Sequence, residues 1–150
     1  HIAQRGTAFF LDGEDVSAFI RTPELTNNVK YIARVPGVRA EMVRLQRVIG
    51  ERAASVLEGR DIGTVVFPDA QYKFYLDADV EERARRRYKE LIESNQKVDL
   101  GAIKQDVIVR DESDMKREVG ALKRASDAVS VDTTNLSIEA VIEKILSYIR

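Results

Sequence analysis

The 150-residue chain contains no cysteine and a single histidine, His1. These absences remove thiol chemistry and zinc centres, which draw on Cys and His ligands. No apolar run approaches the ~20 residues that span a bilayer, and no charged-then-apolar leader opens the chain, so no membrane role is expected and the expected setting is cytoplasmic. A surplus of either charge is missing as well, with 24 Lys+Arg facing 25 Asp+Glu for a net charge of −1. Wholesale nucleic-acid binding needs a basic surplus, so no nucleic-acid partner is expected and any anion site must be local. Repeats and low-complexity stretches are absent too, and the eight Gly and three Pro are spread as punctuation between periodic segments.

What is present is the material of one ordinary soluble domain. Apolar residues make up 44% of the chain, and a chain of this length hides roughly 70% of its unfolded surface without disulfides or a structural metal. Residues 7–11 read as a short strand, with Asp12-Gly13 turning the chain into Asp15-Val16. Thr22 and Pro23 supply the start of a first helix, and Pro36 breaks the chain before a second. In that second helix Val38, Met42, Leu45 and Ile49 recur at helical spacing, which predicts one buried stripe. Ser55 to Leu57 reads as a short buried strand and Tyr72 to Leu76 as another.

Asp79 and Glu82 form a capping-box pattern for a helix running to about Glu93. Two further helices are expected near residues 100–109 and 112–123, then a strand around 128–131. The closing helix gathers Ile138, Val141, Ile142, Ile145, Leu146 and Ile149 on one face, with Ser137 as its cap. Strands separated by helices predict an α/β fold, a parallel sheet flanked by helices. Ligands in such sheets sit at the carboxyl ends of strands, which directs attention to residues 58–64.

Three constellations there and beyond carry possible chemistry. In Glu58-Gly59-Arg60-Asp61-Ile62-Gly63-Thr64 the glycines permit close backbone approach, Arg60 suits a phosphate, and Asp61 accepts hydrogen bonds from a base or sugar. The competing reading is a polar surface turn. Arg83, Arg86 and Arg87 share one helical face, as a polyphosphate site would need, while the i,i+4 pairs of Glu81 with Arg85 and Glu82 with Arg86 equally describe a solvated face. Arg110, Asp114 and Arg117 stand at i, i+4 and i+7, either as a nucleotide contact or as an intrahelical ion-pair ladder. Arg39, behind Pro36, is a ligand arm or an exposed charge. The phosphate-binding pattern G-x-x-x-x-G-K-[ST] occurs nowhere in the 150 residues.

Together these residues resemble bacterial cytidylate kinases, which are P-loop nucleoside monophosphate kinases. The resemblance runs through Gly13-Glu14-Asp15-Val16-Ser17 and Ile20-Arg21-Thr22 to the highly specific Glu58-Gly59-Arg60-Asp61-Ile62-Gly63-Thr64-Val65-Val66-Phe67-Pro68-Asp69-Ala70. It continues through Glu82-Arg83-Ala84 with Arg86-Arg87, through Arg110-Asp111 with Asp114 and Arg117, and through the tail from Asp127 to Glu139.

The resemblance implies phosphoryl transfer from ATP, with Mg²⁺ bridging its phosphates, to CMP or dCMP. It implies that Arg39 and Asp61 read the cytosine, Arg60 holds the acceptor phosphate, Arg110 and Asp114 meet the sugar, and Arg117 lies near the phosphates. Residues 1–39 would belong to a CMP-binding insertion, 40–82 and 110–150 to the core, and 83–109 to a mobile lid whose Arg83 and Arg87 reach ATP. Lys30 stands where a small hydroxyl residue is expected facing the base. The family's opening strand and P-loop have no counterpart here, so the expected fold lacks its first βα unit, and the chain alone is expected to be inactive. The alternative reading is a non-catalytic CMP-binding or regulatory module.

Overall fold

The computed structural model describes residues 1–33 and 35–149, with the side chains of Gln4, Arg21, Pro23, Thr26, Asn27 and Lys30 outside the description. The environment of Lys30 therefore lies outside the described residues. The chain divides into two compact units, residues 1–46 and 47–150.

The first unit opens with an antiparallel sheet of three strands, β1 (Ile2–Arg5), β2 (Ala8–Leu11) and β3 (Glu14–Asp15), in that order. The Asp12-Gly13 turn forms as its residue types dictate, with φ of 51° and 91°, values that Asp tolerates and Gly adopts freely. A strand before Thr7 was not legible in the sequence; Gly6, at φ 59°, turns β1 into β2. Ser17 closes the sheet's far end, its hydroxyl accepting from Phe9 N at 2.8 Å and donating to Asp15 Oδ1 at 2.6 Å. That bond holds the Asp15 carboxyl below the usual range. A 3₁₀ turn (Phe19–Arg21) leads into α1 (Pro23–Ile32), capped by Thr22 Oγ1, which accepts from Leu25 N at 3.3 Å.

Helix α2 (Pro36–Gly50) begins at Pro36 as expected, but its apolar stripe is not buried. Val38, Met42 and Ile49 are exposed, and α2 holds no buried residue. Helical spacing reports which residues share a face, not what covers that face.

In the second unit β4 (Phe74–Asp77) and β5 (Val129–Asp132) pair in parallel, with Leu76 opposite Val131 and Asp77 opposite Asp132. The parallel sheet expected from the sequence is thus present as two strands among the described residues. Helix α3 (Val80–Glu93) packs against α4 (Leu100–Met115), burying Ala84 and Ile103, and α5 (Ile138–Leu146) closes the chain. Ser137 caps α5 by accepting from Ala140 N at 3.2 Å, yet Ile138, Ile142 and Leu146 are exposed. The Phe74 ring meets Tyr148 at 6.1 Å between centroids.

Three expectations are corrected here. Ser55 to Leu57 forms no strand and Val56 is fully exposed, because β-branched residues extend stably only when a neighbouring strand takes their backbone hydrogen bonds. Asp79 is the N-cap residue of α3 but its carboxylate caps nothing; its own amide is instead taken by Thr134 Oγ1 at 2.9 Å, and Glu82 pairs with Arg86 at 3.0 Å. The two helices expected over 100–109 and 112–123 are one helix ending at Met115. Asp99 Oδ1 caps it at Ala102 N, 2.8 Å away, no helix breaker interrupts residues 110–112, and Gly120 lies in the left-handed region at φ 68°.

Candidate nucleotide site

Residues 59–61 form a bend that enters a single π-turn over Ile62–Val66, a geometry that is rare and gathers at functional sites. The Asp61 carbonyl accepts from Val65 N at 2.8 Å and from Val66 N at 3.2 Å, and Phe67 N reaches Ile62 O at 2.7 Å. The last carbonyls of such a turn have no next turn to accept for. Arg47, in the last turn of α2, donates to both, through Nε to Val66 O and through a terminal nitrogen to Val65 O, each at 2.8 Å. A Cβ on Gly50 would stand 2.7 Å from Phe67 Cζ, so glycine is what lets the Phe67 ring close against α2. Lys73 Nζ donates to Pro68 O and pairs with Asp127. The Lys73 hydrogen bond holds the Asp127 carboxyl below the usual range.

The turn presents Arg60 to α4. Arg60 Nε lies 2.8 Å from Asp114 Oδ2, and Arg117 donates to Oδ1 of the same carboxylate. Asp114 is 1% exposed, whereas Arg60 and Arg117 keep 42% and 36% of their side chains in solvent. A buried carboxylate demands countercharge, and two arginines supply it from the solvent side. The Arg60 contact is a charge pair without hydrogen-bond alignment: Asp114 Oδ2 is buried and has no donor on it among the described residues. Buried acceptors are almost always satisfied, so one that is not invites a donor from outside.

One turn earlier on α4, Asp111 takes the Arg83 guanidinium at 2.5 Å, while Arg83 Nε donates to Ala78 O at 2.9 Å. Arg86 is spent on structure, bonded to Glu82 and, at 3.1 and 2.5 Å, to the hydroxyl and carbonyl of Thr133. Arg87 pairs with the exposed Glu90 at 2.9 Å. Lys104 on α4 donates to Glu81 on α3 and holds that carboxyl below the usual range.

The structure therefore brings Arg60, Asp114 and Arg117 into contact and places Arg83 at Asp111 on the same helix. The expected ladder of Arg110, Asp114 and Arg117 on one helix is corrected, because α4 stops at Met115 and Arg117 reaches Asp114 from beyond its end. Arg110 is exposed, and among the described residues it makes no ion pair. Asp61 enters through its backbone carbonyl, and Arg39 lies in the first turns of α2, half-buried. Asp111 and Arg47 had no signal in local spacing, since their partners are remote in sequence.

Two open hollows, of about 440 Å³ beside Leu11, Phe19 and Leu25 and about 510 Å³ beside Leu76, Thr133 and Val141, leave out Arg60, Asp114, Arg117, Arg83 and Asp111, although Arg86 and Glu90 line the second. Among the described residues no His, Cys, Asp and Glu cluster could hold a metal ion, and no helix is long and apolar enough to cross a membrane.

Comparison with known proteins gives the family. A family model described as Cytidylate kinase matches residues 1–150. The chain is 45% identical over 147 residues to a cytidylate kinase of Geobacillus sp. strain WCH70, covering 98% of this chain and 66% of that protein. It is 49% identical over 140 residues to a cytidylate kinase of Bacillus cereus, covering 93% and 62%, and 44% identical over 145 residues to one from Anoxybacillus flavithermus, covering 97% and 64%. The chain thus spans between 62% and 66% of the length of these curated relatives.

Proposed function

The chain belongs to the cytidylate kinase family, and from that premise we propose that it supplies the acceptor side and the lid of an enzyme that moves a phosphoryl group from ATP to CMP or dCMP. The observation that carries this reading is Asp114 Oδ2, buried between two arginines and lacking an aligned donor. A sugar hydroxyl supplies that donor, and the half-exposed Arg60 and Arg117 stand ready for the phosphate beside it.

Phosphoryl transfer asks a protein chiefly to align donor and acceptor and to neutralise charge on the phosphoryl oxygens. Arginine does this well because its planar fork holds two oxygens at once. In this proposal Arg60 holds the acceptor phosphate, Asp114 and Arg110 meet the sugar, and Arg117 faces the phosphates. Asp61 and Arg39 read the base, a carboxylate being a good acceptor for the exocyclic amine that separates cytosine from uracil. The α3–α4 hairpin, residues 83–109 in the main, acts as the lid. Among the described residues Arg87 pairs with one exposed glutamate, from which it swings to ATP, whereas Arg83 must first share or leave Asp111.

These residues fit the polyphosphate better than its metal. ATP brings Mg²⁺ bound to its phosphates, and that ion supplies further charge neutralisation when present; the arginines of this chain bind and orient the oxygens. The cradle for the donor phosphates is not among the motifs of these 150 residues, so the proposal concerns the acceptor and lid sides. The test is the full-length protein that contains these residues, assayed with ATP and Mg²⁺: the expected result is CDP from CMP or dCDP from dCMP, and turnover of neither overturns the reading.

A further inference from the structure

The geometry points to Arg47 as the positioning residue of the acceptor site, acting through the π-turn rather than on the nucleotide. Its two nitrogens bind the consecutive carbonyls of Val65 and Val66, each at 2.8 Å, and Lys73 holds the next part of the loop at Pro68 O. The same turn begins at Asp61, whose carbonyl anchors the amides of Val65 and Val66. Fixing Val65 and Val66 from both their amide and carbonyl sides therefore fixes the backbone of Asp61, and through it the aim of Arg60 at Asp114. Arginine is the side chain this needs, because one fork spans two adjacent carbonyls while an ammonium is a single point. Its place in the last turn of α2 is also where a cation is favoured by the helix dipole.

This inference rests on the acceptor-site reading above. A π-turn that loses its clamp keeps its residues but not their direction, and small misplacements of binding groups are costly in turnover. The expected consequence is selective: acceptor binding suffers and donor binding does not.

The test is steady-state kinetics of the full-length wild type and of its Arg47→Gln and Arg47→Lys variants, varying CMP and ATP separately, with thermal midpoints measured alongside. Arg47→Gln is expected to raise KM for CMP about tenfold, the scale of one lost charge-assisted hydrogen bond, with KM for ATP held within about twofold. Arg47→Lys, which keeps one donor, is expected to fall between; it carries the comparison alone if the Gln variant does not fold. Unchanged KM for CMP in an active enzyme overturns the inference, and so does an equal rise in both KM values with a lowered midpoint, the signature of a purely structural bolt. A wild type inactive on both nucleotides removes the acceptor-site reading itself and is read from the wild-type arm alone.

Discussion

Arg60 and Asp114 meet at 2.8 Å although one comes from a bend before a π-turn and the other from the last turn of a helix far along the chain. The pair is lopsided, because the carboxylate is buried and the guanidinium is not. That asymmetry sets what each substitution costs. Asp114→Asn leaves two cations that water can reach, an expected loss of about 1 kcal/mol. Replacing Arg60 and Arg117 together by Met strands a buried carboxylate, an expected loss of about 3 to 5 kcal/mol. Urea unfolding of the three proteins measures both, and equal losses would show that the acid and the arginines are interchangeable in the balance.

The glycines of α2 predict opposite signs. At Gly50 a methyl group would press 2.7 Å from Phe67 Cζ, while at Gly37 it would meet nothing within 4 Å. Gly50→Ala is expected to destabilise by about 1 to 3 kcal/mol through overpacking. Gly37→Ala is expected to stabilise by about 0.5 to 1 kcal/mol through the lower entropy of the unfolded chain. Thermal midpoints moving in the same direction would contradict the close approach of Phe67.

The α3–α4 hairpin carries an acid-sensitive tie. Lys104 donates to Glu81 and lowers its pKa from the ordinary value, which for a free glutamate is about 4.3. A depressed folded-state pKa contributes stability that is present above the unfolded value and lost as pH falls through the folded one. Stability should thus decline below about pH 4, and Lys104→Met should flatten that decline by removing the partner. Acid titration followed by circular dichroism checks it; identical acid limbs in the two proteins would mean that the tie contributes nothing in solution.

Residues near their partners in sequence were legible before the fold was seen. The Asp12-Gly13 turn, the Thr22 and Ser137 helix starts, and strands β4 and β5 follow from local chemistry or patterning, and the fold respects them apart from a residue or two at strand ends. What failed depended on distant neighbours. Val56 has strand-forming character but no adjacent strand to pair with, and the α2 stripe has the right spacing without burial. In the candidate site, Arg60, Asp114 and Arg117 stood out by type and spacing, and the structure joins them. Arg47 did not stand out and Asp111 did so only inside the family motif, with no partner assigned, since an arginine that binds main-chain carbonyls or a remote carboxylate leaves no mark on the spacing around it.

The central claim is that Arg60 is aimed by the π-turn and Asp114 at an acceptor phosphate. The direct measurement is kcat/KM for CMP of the full-length enzyme and of Arg60→Met, at fixed saturating ATP and Mg²⁺. Losing a charge-assisted contact predicts a fall equivalent to about 1.5 to 3 kcal/mol, with a thermal midpoint close to that of the wild type because Arg60 is 42% exposed. An Arg60→Met enzyme with unaltered CMP kinetics would contradict the account and leave the loop a polar turn.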